Sequence, residues 1–203
     1  MKKAFSRGLA GLALATAAAF ALSACAMTMP MGDTGDGDQN AADVMFVQMM
    51  IPHHEQAVEM SEMILAKDGV DPEVVALAEQ IRAAQDPEID LMEQWLSDWG
   101  LSSMSGMGGM DHGNMDHGGG YGGMGGGMDG MMSDEQMAEL QSADGATGAT
   151  MFLELMIEHH VGAVEMAEQV IDDGRDADVR ALAEEMIVGQ SAEITTMREL
   201  LAR

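Results

Sequence analysis

The sequence has little cysteine, few aromatic residues and few basic residues. Cys25 is the only cysteine among 203 residues, which excludes a disulfide within one chain. Aromatic residues make up 3% of the chain, a share that disfavours both β-rich folds and surfaces that stack nucleic-acid bases. The chain has nine Lys and Arg but 35 Asp and Glu, which gives a formal charge of -26. A charge of this sign repels the phosphate backbones of nucleic acids. The composition favours a helical protein that does not bind nucleic acid.

The first 24 residues have the pattern of an export signal. Three basic residues precede an apolar, Ala-rich stretch at 8–22, which ends at small residues. The run Leu22-Ser23-Ala24-Cys25 resembles a bacterial lipobox, in which the cysteine is lipidated and becomes the first mature residue. An ordinary cleaved signal with an unrelated cysteine is the alternative. Both interpretations predict a location outside the cytoplasm, and the lipobox also predicts anchoring to the cell membrane through Cys25.

The chain contains an internal duplication. Residues 45–62 (MFVQMMIPHHEQAVEMSE) and 151–168 (MFLELMIEHHVGAVEMAE) are identical at eleven of eighteen positions, including two adjacent histidines. The runs 71–96 and 176–201 repeat one another as well. Each half has helical apolar spacing and is predicted to be one helical hairpin. Two such hairpins pair most simply as an all-α four-helix bundle with one long crossover.

The duplication divides the chain into five parts. We predict a signal peptide at 1–24, a flexible tether at 25–40, a first hairpin at 41–101, a linker at 102–132 and a second hairpin at 133–203, with 41–203 as one bundle domain. In the linker, 13 of 31 residues are Gly and 8 are Met, which is too much glycine to hold a helix or a core.

Capping and stop signals predict where the helices begin and end. The helices are expected near 41–67, 71–99, 149–173 and 176–202, with a short extra helix near 134–142. Pro87 falls inside the second helix and is expected to kink it or to split it at Asp86, because proline removes one backbone hydrogen bond.

The histidine pairs lie on apolar helix faces. At 100° per residue, His53 is at the centre of the first helix's apolar stripe and His54 is on its flank. The second copy likewise places His159 inward and His160 on the flank, where it could face a partner in a homodimer. The same stripes carry the methionines Met50, Met60, Met156 and Met166.

The second helix of each hairpin has polar residues within its own apolar face. These are Gln85 and Glu88 near Met92, and Gln190 and Glu193 near Met197. A buried polar group without a partner costs about 1 to 3 kcal/mol, so each set is expected to bond the inward histidine of the preceding helix. Two interpretations stay open: a hydrogen-bonded core with Met as filler, or a soft-metal site with His and Met as ligands and the Gln/Glu/Met sets in support.

The linker has a possible metal chemistry of its own. Met104, Met107 and Met110 are spaced three residues apart, and two Met-Asp-His runs follow, so the candidate ligands are Met104, Met107, Met110, His112, Met115 and His117. Thioether and imidazole groups suit Cu(I), and in an oxidising compartment Met is a more durable ligand than Cys. The alternative is a low-complexity spacer. The Met/Asp/His repeats resemble those of bacterial copper-resistance proteins over about a dozen residues.

The two hairpins resemble the domain-of-unknown-function 305 family over roughly residues 41–203. The matching motifs are MIPHH from Met50 with Ala57 and Met60, MIEHH from Met156 with Ala163 and Met166, and the run from Ala78 through Gln85, Glu88 and Met92 with its copy. The resemblance implies a ferritin-like four-helix bundle, export from the cytoplasm and a copper role carried by the matching Met and His positions. Pro87 departs from the helix-favouring residue expected there.

The sequence thus predicts an extracytoplasmic, Met-rich lipoprotein that sequesters or relays Cu(I). The alternative is a metal-free envelope module whose acidic faces bind a basic partner around a His/Gln core. Ferritin-like di-iron oxidases need Glu-x-x-His on two helices, and no Glu in the chain has His three residues later. No nucleophile and base have an interpretable spacing either. The sequence therefore gives no support for catalysis.

Overall fold

The computed structural model describes residues 39–103 and 130–203, which belong to one compact unit, Asp36–Arg203. These residues form five helices: α1 Ala41–Leu65, α2 Pro72–Asp98, α3 Asp134–Ser142, α4 Gly145–Asp173 and α5 Ala177–Leu201. The described part of the chain contains no strand, which confirms the all-α prediction. None of these helices combines the length and the apolar character needed to cross a membrane. The signal, the lipobox and most of the tether and linker lie outside the described residues.

Local signals explain most helix ends. Asn40 and Asp43 form a capping box at the start of α1, and Asp71 with Pro72 begins α2. The chain turns between α1 and α2 at Gly69, whose φ of 79° favours glycine. The capping box of Ser133 begins α3, which spans the range predicted for the extra helix.

Helix α4 begins four residues earlier than predicted. Asp144 caps it by accepting a hydrogen bond from the Thr147 N–H at 2.8 Å. The first turn contains Gly145 and Gly148, which are poor helix formers but allow α4 to approach the end of α1. A Cβ at Gly145 would collide with the backbone of Asp68. Close packing of α4 against the end of α1 and the turn after it therefore overrides the low helix propensity.

Of the two effects expected of Pro87, a kink or a split at Asp86, the split does not occur, because α2 continues through Pro87 as one helix. The carbonyl that loses its intrahelical donor belongs to Ala83, and Ala83 and Pro87 are both exposed. Water can therefore satisfy this carbonyl. Helix α1 likewise continues through Pro52.

The hairpins α1–α2 and α4–α5 meet mainly through α1 and α4, whereas α2 and α5 touch only slightly. One apolar cluster joins Phe46 and Met50 with Ala163 and Val170, and the other joins Ala57 and Met60 with Phe152 and Met156. Residues before the α1 histidines thus pack with residues after the α4 histidines, so α1 and α4 run antiparallel. The histidines lie between the two clusters.

A buried carboxylate fastens the start of α1 to the connection between α4 and α5. Asp43 is fully buried, and its side chain accepts hydrogen bonds from the backbone N–H groups of Asn40, Arg175 and Asp176 at 2.7 to 3.2 Å. Gly174 lies against this carboxylate, and a Cβ there would collide with it. The glycine at this turn is therefore required by packing, since its φ of -75° is open to any residue.

We expect Asp43→Ala to lower the free energy of unfolding by about 2 to 4 kcal/mol, because it leaves backbone donors buried without their acceptor. Urea unfolding followed by helical circular dichroism measures the change. Asp90→Ala removes an exposed carboxylate of α2 and should change stability by less than about 0.5 kcal/mol. Equal effects of the two substitutions would contradict the role assigned to Asp43.

Candidate metal centre

A layer of eight polar side chains crosses the middle of the bundle, with two from each long helix. We call it the central polar layer; its members are His53, His54, Gln85, Glu88, His159, His160, Gln190 and Glu193. All are buried except Glu88, which is partly exposed. The sequence prediction that polar residues intrude into the apolar faces is therefore confirmed.

The two inward histidines meet where α1 crosses α4. The ring centroids of His53 and His159 lie 3.7 Å apart with an interplanar angle of 39°. Both residues are at most 1% exposed, as expected from their place at the centre of each apolar stripe. The duplicated motif thus brings two imidazoles into contact on the boundary between the two halves of the molecule.

The other two histidines each bind a carboxylate within their own hairpin. The distance from His54 Nε2 to Glu88 Oε2 is 2.7 Å, and that from His160 Nε2 to Glu193 Oε2 is 2.8 Å. The expectation that Glu88 and Glu193 bond the inward histidines is therefore wrong. Because an ionised carboxylate only accepts hydrogen bonds, Nε2 is the donor in both rings, and in a neutral ring with this tautomer Nδ1 keeps the lone pair.

The expectation that the flank histidines His54 and His160 could face a homodimer partner needs correction. Both are fully buried within one chain, so neither is available to a homodimer partner. Helix α1 packs on two neighbours, α2 and α4, and a helix in that position needs two apolar faces. Val47, Ile51 and Ser61, which share the face of His54, are also fully buried. In the sequence, the apolar residues of α1 cover a wider arc than a single stripe, and that width was the signal for packing on two neighbouring helices.

The two glutamines of the layer have no hydrogen-bond partner among the described residues. Gln85 is 2% exposed and Gln190 is 5% exposed. In each amide, both the oxygen and the nitrogen are buried without a hydrogen bond. The expected bonds from these amides to the inward histidines are not formed. Gln80 of α2 donates instead to Glu193 Oε1 at 3.2 Å and so links α2 to α5. The layer therefore retains buried polar groups that a bound species could satisfy.

The layer favours neutral imidazole at His159. Burial lowers the pKa of His159 well below its usual value, and the neighbouring His53, His160 and His54 lower this pKa further by charge repulsion. A neutral imidazole is the form that coordinates metal ions.

The predicted methionine ligands lie on the two sides of the layer. Met50 and Met92 belong to one apolar cluster, against which Met166 packs. Met60, Met156 and Met197 belong to the other cluster. Met50 and Met60 are ten residues apart on one helix, roughly 15 Å, so no single ion could bind both. The structure therefore offers two related groups of thioethers.

Within residues 39–103 and 130–203, no three His, Cys, Asp or Glu side chains form a group that could hold a metal ion. His54 and His160 have buried Nδ1 atoms without hydrogen bonds in the described region, and thioethers lie on both sides of the layer, which is a combination of donors that suits a soft ion. A carboxylate on the far ring nitrogen is the usual support of a metal-bound histidine. The predicted linker ligands, from Met104 to His117, lie outside the described residues.

The lowered pKa of His159 predicts that stability falls with falling pH. The unfolded chain binds a proton near pH 6.5 and the folded chain does so only at lower pH, so this contribution is complete above about pH 6.5 and is lost below it. We expect a slope of up to about 1.4 kcal/mol per pH unit between pH 6.5 and 5. Urea unfolding across pH 5 to 7.5 measures it, and His159→Gln should show a shallower slope. Identical slopes would refute the assignment to His159.

Comparisons with known proteins agree with this architecture. A family model described as Domain of unknown function (DUF305) matches residues 43–201. A DUF305 crystal structure from Streptomyces coelicolor is 34% identical, with a TM-score of 0.64, and the match covers 79% of this chain and 92% of that one. A DUF305 fragment from Deinococcus radiodurans is 30% identical with a TM-score of 0.67, and the match covers 82% and 99%. No curated protein matches the chain.

CopM in its Cu(I)-bound form is similar as well, at 28% identity and a TM-score of 0.58, and the match covers 78% of this chain and 94% of CopM. CopM structures with Cu(II) and with Ag also match. The family model spans most of the chain, including both hairpins and every member of the central polar layer. The chain therefore belongs to the DUF305 family.

Proposed function

We propose that this protein binds Cu(I) as cargo outside the cytoplasm and sequesters or relays it in copper tolerance. The observation that carries the proposal is the pair of His–Glu hydrogen bonds inside the bundle, which in neutral rings leave a lone pair on Nδ1 of His54 and of His160, with thioether clusters on both sides of the layer. The solved structures of CopM with Cu(I), Cu(II) and Ag support copper as the ion.

In this proposal each residue of the layer has a distinct role. His54 and His160 bind the ion, and Glu88 and Glu193 fix the tautomer and orientation of those rings. The contacting His53 and His159 supply further imidazoles at the junction of the two halves. The soft ligands on either side are Met50 and Met166, and Met60 and Met156, with Met92, Met197, Gln85 and Gln190 around them.

The linker extends the proposal to a second kind of site. Met104, Met107, Met110, His112, Met115 and His117 would capture Cu(I) without a preformed cavity. Such ligands suit a first capture step, with the buried layer holding the ion more selectively. The formal charge of -26 raises the local concentration of cations around the bundle.

A metal-free envelope module remains the alternative, because no group of three His, Cys, Asp or Glu in the described parts could hold an ion. In that case the His–Glu pairs only satisfy a polar core, and the acidic surface binds a basic partner.

Cu(I) competition titration distinguishes these functions. The starting protein has the six predicted linker ligands replaced by Ser, which removes the predicted linker site. We expect this protein to bind Cu(I), and His54→Ala combined with His160→Ala to lower the stoichiometry. The absence of Cu(I) binding before the histidine changes would refute a bundle site and leave the linker as the binder.

The supporting carboxylates have their own test in the same linker-substituted protein. Glu88→Gln with Glu193→Gln should lower Cu(I) affinity about 10- to 100-fold, because the histidines lose the charged carboxylates that orient them and raise their basicity. Glu93→Gln with Glu199→Gln removes two exposed charges from the same helices and should leave the affinity unchanged. A similar loss in both double variants would show that only overall charge matters.

We further propose that Cys25 carries a lipid anchor. The wild-type protein should then fractionate with membranes, whereas Cys25→Ala should be released into the soluble extracytoplasmic fraction. Mass spectrometry of the mature N-terminus checks the modification. An unmodified N-terminus with equal solubility of both forms would contradict the anchor.

A further inference from the structure

An apolar groove runs between the first turns of α1 and the last turns of α4. It has a volume of about 620 Å³, and every described residue that lines it belongs to one of these two helices. We call it the α1/α4 groove. Three of its wall residues are methionines: Met45 and Met49 of α1, and Met166 of α4. The groove therefore brings thioethers from both halves of the molecule to one surface.

These methionines differ from those that fill the core. Met45 is 51% exposed, whereas every other methionine in residues 39–103 and 130–203 is at least partly buried. Met49 and Met166 are partly buried, and Met166 also packs against the apolar cluster that contains Met50. A methionine that acts as core filler is enclosed by its neighbours, and Met45 is not. An ion in solution therefore has access to the groove from the side of Met45.

The spacing of the three side chains suits a single ion. Met45 and Met49 are four residues apart on α1, so their Cβ atoms lie about 5 to 6 Å apart on one helix face. The Met166 side chain lines the groove from the neighbouring helix. Methionine has three rotatable bonds, and the groove leaves room for these side chains to turn. The three sulfurs are therefore able to converge on one ion between α1 and α4.

The other wall residues narrow the class of ion that fits. Thioethers are soft, uncharged ligands, which favour an ion such as Cu(I) over Mg²⁺ or Ca²⁺. Glu165 and Gln169 are exposed and also line the groove, and none of its described wall residues is basic. A nearby carboxylate compensates the charge of a cation that is held by neutral ligands. The groove thus fits a soft monovalent cation.

The second copy of the repeat lacks this set of ligands. The internal duplication relates the three groove methionines to Met151, Leu155 and Met60. Leu155 has no sulfur, Met151 is only partly exposed, and Met60 is fully buried. The related surface therefore has fewer thioethers, and they are less accessible.

The related surface is also covered by the segment that precedes α4. Met132 and Leu140 of this segment are buried in the same apolar cluster as Met60. The Gln56 side chain holds Met132 in place, donating to its carbonyl at 2.9 Å and accepting from its N–H at 2.7 Å. Gly162 is the counterpart of Gln56 in the second copy and has no side chain to hold such a cover. The α1/α4 groove is therefore the more accessible of the two related surfaces.

We propose that the α1/α4 groove is a surface site for Cu(I), held by the sulfurs of Met45, Met49 and Met166. The choice of Cu(I) rests on the proposed function, whereas the site itself uses none of the histidines of the central polar layer. Met166, which the proposed function places beside the layer, is the ligand that the two sites share.

The groove lies next to the place where the two halves of the molecule meet. Met49 comes one helical turn before His53, and Gly162 comes one turn after His159. The inner end of the groove is therefore roughly 5 Å along each helix from the contacting imidazoles. An ion at the surface site has only a short distance to travel to the buried layer.

Titration with Ag(I) tests the groove in the full, metal-free chain. Ag(I) is a soft monovalent ion like Cu(I) and does not oxidise in air. NMR of isotope-labelled methionine methyl groups and histidine rings reports on each residue separately. We expect the signals of Met45, Met49 and Met166 to shift together, at the same Ag(I) concentrations. Unchanged signals of Met45 and Met49 after the remaining sites are saturated would overturn the proposal.

A double variant tests the stoichiometry of the site. Met45→Leu with Met49→Leu removes the two sulfurs that belong to the groove alone and nearly conserves side-chain volume. This variant should bind about one Ag(I) fewer per chain at saturation, because one remaining thioether does not hold the ion. Met63→Leu with Met151→Leu removes two partly buried thioethers elsewhere in the bundle and should leave the stoichiometry unchanged. No loss in the first variant, or an equal loss in both, would contradict a site in the groove.

The same titration separates this site from the proposed function. Shifts at Met45 and Met49 without shifts at the rings of His54 and His160 would support the groove and contradict a metal site in the layer. Shifts at those rings without shifts at Met45 and Met49 would support the layer and overturn the groove.

Discussion

The hydrogen bonds from His54 to Glu88 and from His160 to Glu193 allow polar side chains to lie across the centre of the bundle. Without these acceptors, two fully buried imidazoles would have only orphaned ring nitrogens, at a cost of about 1 to 3 kcal/mol each. The layer separates the apolar interior into two clusters of similar composition. Each cluster therefore packs against the histidines from one side, and each cluster contains some of the thioethers.

The two copies of the repeat are related in sequence but differ in enclosure. The Glu193 side chain is 8% exposed and also accepts from Gln80, whereas the Glu88 side chain is 24% exposed. The residue that corresponds to Gln80 in the second hairpin is Glu185, which is exposed and cannot act as an amide donor. One half of the layer is thus closed by a contact between α2 and α5, and the other half has greater access to water.

The repeat and the inward histidines could be predicted because both depend on local periodicity. The burial of these rings could be predicted because positions 53 and 159 are both His and lie within apolar residues at helical spacing. The partners of His54 and His160 were missed because a single helical stripe cannot show that α1 and α4 each pack on two neighbours. The early start of α4 was missed for a related reason, since Gly145 is favoured there only by the close approach of Asp68. The continuity of α2 at Pro87 depends on solvent exposure, which periodicity did not weigh. The ion that a site prefers depends on which side chains come together in space. The sequence shows only which residue types are present.

The meeting of the halves through α1 and α4 has a consequence for how the molecule assembles. A hairpin alone would expose its inward histidine and the apolar residues on both sides of it, and it would be complete only after pairing with a second hairpin. Joining both hairpins in one chain makes that pairing unimolecular, which raises the effective concentration of each hairpin for the other. The pairing of the two halves is then independent of dilution. Cleavage within the connection would restore the dependence on concentration and turn one folded protein into a heterodimer of its own halves.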